Sequence, residues 1–467
     1  MSEQKNQLSD RELRSMKMKE QPIGRLLLNM SLPAIFSMLV QALYNIVDTM
    51  FVSTYDKEHG LTALSVVFPM QMLVMAFAIG IGVGSNVQIA KKLGEGKNEE
   101  ASNTAKTGIV LALIMTAVFV VLSFVIVKPF INAYTDDIEV RKQATTYLTI
   151  VMCLSVGMFV EICCSKILQA TGNMKVPMIS QLIGAITNII LDPIFIFEWG
   201  LGLGVRGAAL ATVAGQMLSM CFVLFVMFKK KQDVSINLRG FKLKKKSVLE
   251  ICSVGLPTTV MNAMGSITTS TLNLIIKSFE GYIAILGAYF KLQSFVFMPV
   301  FGLTQGAMPI LSYNYGYGDK KRFDKAYKLS TTIAFCIMFV GLLLFQFFPR
   351  LLLGMFSISG ETMLEGVIAM RRISLAFLPA AVSIVMITTF QSLGKGINAL
   401  MMSLLRQLGC LIPVALLMKI LFNSRAIWFC YPIAEIVVLV VFFPILMRAI
   451  KKMFKNRLSQ DASNLNN

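Results

Sequence analysis

The chain has 467 residues, of which 55% are hydrophobic and only 15% charged, and long uncharged apolar stretches recur along nearly its whole length. That composition excludes a soluble enzyme and predicts a polytopic α-helical membrane protein. The net charge of +19 would suit nucleic acid, but the basic residues gather in alternate short loops and at both ends of the chain; this is the positive-inside pattern, and no nucleic-acid partner is expected.

Dense Leu, Ile, Met and Phe without period-two alternation also argues against an outer-membrane barrel. Residues 1–25 are polar, with Arg11, Glu12, Arg14, Lys17, Lys19 and Glu20. They lack the apolar core of a signal peptide, so the first span directs insertion. Twelve spans are predicted, over 31–53, 61–90, 105–127, 145–170, 175–198, 206–228, 247–277, 282–312, 326–349, 366–392, 397–421 and 427–448. Each is long enough for about 30 Å of hydrocarbon at about 1.5 Å per residue.

In the first span, Gln41, Tyr44, Asn45 and Asp48 fall at i, i+3, i+4 and i+7 and so share one helix face. A carboxylate inside such a span costs about 2.5–3.5 kcal/mol on insertion scales, which marks Asp48 as functional. The fourth span carries Glu161, and the fifth carries Thr187, Asn188 and Asp192. Between the fifth and sixth, Gly202, Gly204 and Gly207 spell G-x-G-x-x-G. No strand precedes it, so turn and close-packing roles are expected rather than a dinucleotide site. The sixth span opens on a small-residue face, Gly207 to Thr212; the seventh holds hydroxyls from Thr258 to Ser270; the twelfth holds Glu435.

The basic stretch 229–246 divides the chain. The expected layout is a tail over 1–25, a six-helix lobe over 26–228, a linker over 229–246, a second lobe over 247–450 and a tail over 451–467. Both tails and the linker are expected in the cytoplasm of a protein of the cell membrane. The first tail and the chain from Asp461 onward are expected to be disordered.

The halves match each other. Leu32-Pro33 is matched by Leu256-Pro257. Gly80-xxx-Gly84 is matched by Gly302-xxx-Gly306, Gly94-x-Gly96 by Gly316-x-Gly318, and Gln169 and Gly172 by Gln391 and Gly394, all at one offset of 222 residues. Glycines that merely pack helices closely would explain the residue type but not the constant offset. Because six is even, each half starts on the same side, which makes the repeat parallel.

Asp48 and Asp192 are expected in one dry lobe without a buried Lys or Arg, so they do not easily both carry charge. A proton, or a hard cation such as Na⁺ among carboxylate, amide and hydroxyl oxygens, would suit them. The plainer reading is a hydrogen-bonded pair that fixes helix packing. Glu161 and Glu435 read equally as site residues or as ties between helices, and His59 as a solvated loop residue. The 31 methionines read as packing, or in part as an adaptable ligand surface. The eight cysteines, none in a CxxC pair, read as packing residues. No Walker, HExxH or nucleophile-elbow sequence is present; neither enzyme activity nor a cofactor is expected beyond the coupling ion, H⁺ or Na⁺.

Ser31-Leu32-Pro33, the run Asn45 to Val52, Gln169-Ala170-Thr171-Gly172, the run Asn188 to Pro193 and the run Gly207 to Thr212 together resemble the multidrug and toxic compound extrusion (MATE) family. The likeness extends over 26–450 and is to its DinF-like branch, among the MepA-like bacterial multidrug exporters. The resemblance implies twelve transmembrane helices in two parallel-repeat six-helix lobes around a central cavity. It implies a cation or proton site of Asp48, Asp192, Asn45, Asn188, Tyr44 and Thr212, with Na⁺ at Asp48, Asn188 and Asp192 as one option. It also implies a first helix that bends at Pro33. Gln41, Glu161 and Met264 are the candidate substrate-binding residues. Met264 stands near a helix-seven position that is acidic in the NorM-like branch, and helix ten has no acid, so no Na⁺ site is expected in the second lobe.

The expected function is cation-coupled multidrug efflux by antiport. The expected partners are small organic cations, amphipathic drugs and the lipid bilayer, and the expected state is a monomer. The alternative is a lipid-linked precursor flippase of the same superfamily. Pyrophosphate recognition would favour a cavity rich in Arg or Lys, and no such buried cluster is read.

Overall fold

The computed structural model describes residues 18–56, 59–229, 233–239, 241–279, 281–356, 358, 360–422 and 424–465. Arg11, Glu12, Arg14 and Lys17, named above for their charge, lie outside the described residues. The elements are helices: α1 Ile23–Tyr55, α2 Gly60–Gly94, α3 Asn98–Tyr134, α4 Ile138–Cys153, α5 Val156–Ala170, α6 Lys175–Ile196, α7 Val205–Lys229 and α8 Lys245–Ile276. They continue with α9 Tyr282–Tyr317, α10 Lys320–Phe347, α11 Pro349–Gly354, α12 Gly360–Ser374, α13 Phe377–Ser392, α14 Gly396–Leu404, α15 Ile412–Leu421 and α16 Cys430–Leu465. Among the described residues nine helices are long and apolar enough to cross a membrane, or eleven when α4 with α5 and α12 with α13 each count as one bent span. The remaining predicted span is α8, 32 residues long. Its hydroxyls, with Glu250 and Asn262, hold it below that apolarity.

The predicted fourth and tenth spans are therefore not straight. α4 and α5 meet at 47°, and α12 and α13 at 46°. The breaks fall at equivalent places in the two halves, with different local causes. Pro379, near the start of α13, has no N–H to continue a ladder. Ser155 and Gly157 stand at the other break, and a β-carbon on Gly157 would press at 3.1 Å on the backbone of α7 at Gln216 and Met217. Between α14 and α15 the chain is π-helical over Leu405–Leu411. The tail expected after 450 is helical as far as Leu465, Asp461 included.

The repeat is visible in the helix ends. After α2, Gly96 N–H bonds Leu93 O and Lys97 N–H bonds Lys92 O; after α9, Gly318 N–H bonds Tyr315 O and Asp319 N–H bonds Asn314 O. α5 and α13 close in the same way, through Gly172 to Gln169 with Asn173 to Leu168, and through Gly394 to Gln391 with Lys395 to Phe390. All four glycines have φ between 74° and 84°, the left-handed cap that a β-carbon disfavours. The matched glycines are thus one helix-ending device used twice per half.

By chain packing there are two compact units, Met1–Gln21 with Phe36–Asn262, and Pro22–Ile35 with Ala263–Asn467. Each takes the leading part of a proline-bearing helix from the other half of the sequence. Within the first unit, α8 crosses α2 so closely that a β-carbon on Gly80 would strike Thr259 Oγ1 and lie 2.7 Å from Gly255 O, and one on Gly84 would strike Ile251 O. A buried ion pair pins the same crossing. Lys92 is 7% exposed and reaches Glu250 Oε2 at 2.7 Å and Thr104 Oγ1 at 2.8 Å. Within the second unit, α1 crosses α9 in the same manner: a β-carbon on Gly302 would lie 2.5 Å from Ile35 Cα, and one on Gly306 2.5 Å from Ser31 Oγ. Each glycine pair faces the turns around Pro33 or Pro257, and both helices run unbroken through their prolines.

Candidate functional site

In the first unit, α1, α6 and α7 carry the polar residues singled out in the sequence. α6 can approach α7 because small residues meet. A β-carbon on Gly215 would lie 2.7 Å from Gly184 O, and one on Gly207 would collide with Phe195 O. That approach puts Asn188 Nδ2 3.1 Å from Asp192 Oδ1 and 3.4 Å from Thr212 Oγ1. Asp192 is 0% exposed and Asn188 3%. Asp48, half-buried on α1, lies within side-chain reach of Asp192, and two carboxyls so placed do not easily both carry charge without a proton or a cation between them. Tyr44 lies within electrostatic reach of both acids. The side chain of Asn45 lies outside the described residues.

Asp48 Oδ1, Asp192 Oδ2 and Asn188 Oδ1 are buried and have no hydrogen-bond partner among the described residues. Three acceptor oxygens left in this way are costly unless something positive meets them. All-oxygen donors of this kind fit a proton or a hard cation such as Na⁺.

The sequence reading missed part of this cluster. Tyr147 on α4 is hydrogen-bonded with Thr212 and accepts from Gln71 Nε2 on α2 at 3.3 Å. Both are scattered among other polar residues of their helices, and only the packing brings them here. Gln181 Nε2 donates to Gln41 Oε1 at 2.9 Å, so Gln41 sits against α6 one level away from the acids. A signal existed for Gln181: with Asn188 and Asp192 it makes a stripe at i, i+7 and i+11.

Glu161 is not part of the acid pair. Its Oε1 accepts from Ser165 Oγ at 2.7 Å and from Ser180 Oγ at 3.0 Å. Lys166, on the same helix, is electrostatically coupled to it. The expectation that the first lobe holds no buried Lys or Arg is therefore wrong: Lys166 and Lys92 are both inside the first unit, each held by protein oxygen atoms. Sequence reading placed Lys92 in a loop, whereas it is in the last turn of α2. His59, expected to be solvated, lies 3.7 Å from Asp56 and 3.7 Å from Asp137.

In the second unit, Met264 is 5% exposed, and its carbonyl accepts from Thr268 Oγ1 at 3.1 Å. Thr268 Oγ1 also reaches Gln407 Oε1 at 2.7 Å. Glu435 is 8% exposed and pairs with Arg406 Nη1 at 3.4 Å. This ion pair between α16 and the π-helical turn was not foreseen.

Tandem six-span repeats of membrane helices with a buried carboxyl pair define a multi-pass membrane transporter. The chain belongs to the MatE family, whose model matches residues 33–194 and 257–417, once in each half. It is similar to the "Multidrug export protein MepA" of Staphylococcus haemolyticus strain JCSC1435, 25% identical over 448 residues, 96% of this chain and 97% of the relative. It is also similar to a protein of Shewanella oneidensis strain MR-1 named "FAD transporter", 24% identical over 425 residues, 89% of this chain and 92% of the relative. Its fold matches that of a structure described as the outward-facing conformation of a multidrug resistance MATE family transporter, with a TM-score of 0.89 at 24% identity. That match covers 94% of this chain and 99% of the other.

Proposed function

We propose that this chain is a cation-coupled multidrug efflux antiporter of the cell membrane, with its termini in the cytoplasm, exporting organic cations and amphipathic drugs in exchange for H⁺ or Na⁺. The observation that carries the reading is the Asp48–Asp192 pair, with buried acceptor oxygens that have no hydrogen-bond partner among the described residues. MepA relatives over nearly the whole chain support the drug-export part.

The mechanism is competition for one pair of acids. While the site is open to the inside, the ionised carboxyls attract a cationic drug, and Asn188, Thr212, Tyr44 and Tyr147 hold the acids in place. Open to the outside, a proton or Na⁺ taken by Asp48 and Asp192 neutralises them, and the drug leaves. Pro33 removes one backbone hydrogen bond inside α1, so α1 bends there at low cost when site occupancy changes. A potential of about 100 mV supplies about 2.3 kcal/mol per charge, and one pH unit adds about 1.4 kcal/mol. A monocationic drug leaves against the potential that draws the proton in, so the two charge contributions cancel and one proton per drug sustains a gradient of about tenfold per pH unit.

The decisive experiment uses proteoliposomes with a pH dye inside. When drug is added outside, it enters wild-type vesicles as protons leave, so their interior becomes more alkaline; the interior of Asp48→Asn vesicles does not. Undiminished alkalinisation by Asp48→Asn would remove these acids from coupling. A flippase would need a basic cluster for pyrophosphate; in the first unit Lys166 stands beside Glu161, a charge-balanced arrangement that favours the drug reading.

A further inference from the structure

The start of α10 is strongly basic, and the transport mechanism makes no use of it. An open cleft of about 570 Å³ lies there, lined by Lys321, Asp324, Lys325, Lys328, Leu329 and Thr332. Lys321, Lys325, Lys328 and Thr332 fall at i, i+4, i+7 and i+11, on one face of the helix. Asp324 is matched by Lys320. Lys321, Lys325 and Lys328 are exposed, and among the described residues none of them has a hydrogen-bond or ion-pair partner. The helix end itself is closed, because Asp319 Oδ1 accepts from Arg322 N–H at 2.9 Å. The positive charge of the cleft is therefore that of three uncompensated ammonium groups.

The same face changes character further along. Phe335, Phe339 and Leu343, at i+14, i+18 and i+22 from Lys321, are 42%, 44% and 38% exposed. Lys328 and Phe335 are about 10 Å apart along the axis at about 1.5 Å per residue. Exposed rings on a membrane span face acyl chains in any case; lysines in line with them put positive charge where the headgroup of the same lipid ends. A soluble anion would use the lysines alone. The cleft also borders α1 within the second unit, since a β-carbon on Gly24 would lie 3.6 Å from Leu329 Cδ2. An occupant there braces the start of the helix that carries Pro33.

We propose that this cleft binds an anionic glycerophospholipid, its phosphate held by Lys321, Lys325 and Lys328 and its acyl chains lying on Phe335 and Phe339. Assignment to the cytoplasmic leaflet rests on the proposed cytoplasmic placement of the termini. The binding itself depends neither on that placement nor on drug export.

Purified full-length protein in detergent is offered dioleoyl-phosphatidylglycerol or dioleoyl-phosphatidylcholine, and bound lipid is counted by native mass spectrometry. Wild type retains phosphatidylglycerol in preference to phosphatidylcholine. Lys321→Gln, Lys325→Gln and Lys328→Gln together lower phosphatidylglycerol affinity on the order of a hundredfold and leave phosphatidylcholine unchanged, whereas removal of as many charges from the linker region by Lys242→Gln, Lys244→Gln and Lys246→Gln changes either by less than about twofold. Should the triple variant not fold, Lys325→Gln alone lowers phosphatidylglycerol affinity about fivefold. Inorganic phosphate in excess leaves the lipid bound. Complete displacement by phosphate makes the cleft a soluble-anion site and overturns the lipid assignment. Equal retention of the two lipids by wild type, an equal loss in the linker variant, or no loss in the cleft variants overturns the site. A protein that exports no drug but passes these tests keeps the lipid site and loses only the transport reading.

Discussion

Tyr147 shows how one side chain can set the strength of a site without carrying charge. Its hydroxyl is bonded with Thr212 and Gln71, and Thr212 in turn meets Asn188. Tyr147→Phe removes that link at constant shape. A neutral hydrogen bond is worth about 1 kcal/mol, so drug affinity measured by dye displacement falls about fivefold while the fold is kept. Asn188→Leu takes away the donor to Asp192 Oδ1 found among the described residues. A loss of about 2–3 kcal/mol in drug binding, on the order of a hundredfold, is expected by the same titration. If Asn188→Leu binds drug as tightly as wild type, the acids are held by something else.

Helices converge on the acids only because small residues permit it. A β-carbon on Gly215 would lie 2.7 Å from Gly184 O, so a valine there must push α6 from α7, separating Asn188 from Thr212. Overpacking of this kind costs about 1–3 kcal/mol. Gly215→Val therefore lowers the thermal midpoint in detergent and weakens drug binding together, whereas Gly265→Ala, with nothing within 4 Å of the added carbon, changes neither. Helix ends are sensitive for a different reason. Gly172, at φ 80°, closes α5 in a left-handed cap, and an L-residue there pays about 1–2 kcal/mol. Gly172→Ala should lower stability by that amount without changing which dyes are exported.

At the scale of the whole chain, duplication puts the first and seventh spans in like roles: each carries a proline, and each is gripped by a Gly-xxx-Gly pair from the helix that follows the other. The parallel repeat and the distribution of Lys and Arg lead us to propose that 229–246 faces the cytoplasm. A cysteine introduced at Ser235 in a cysteine-free background reacts with a membrane-impermeant maleimide in inside-out vesicles and not in right-side-out ones. Labelling in the opposite orientation would invert the assigned direction of transport.

Much of this was written in the residue order. The apolar spans, the parallel duplication and the stripe of Gln41, Tyr44 and Asp48 follow from local periodicity and from the cost of polar groups in lipid, which act on each segment alone. Only tertiary structure decided which polar residues meet. Tyr147 and Gln71 carry no pattern of their own, Lys92 looks like a loop lysine until α8 brings Glu250 beside it, and Glu161 parts from the aspartates to join Lys166. Such pairings depend on where helices distant in sequence cross, and the crossing points are set by side-chain volume on both partners at once, a quantity no single segment contains.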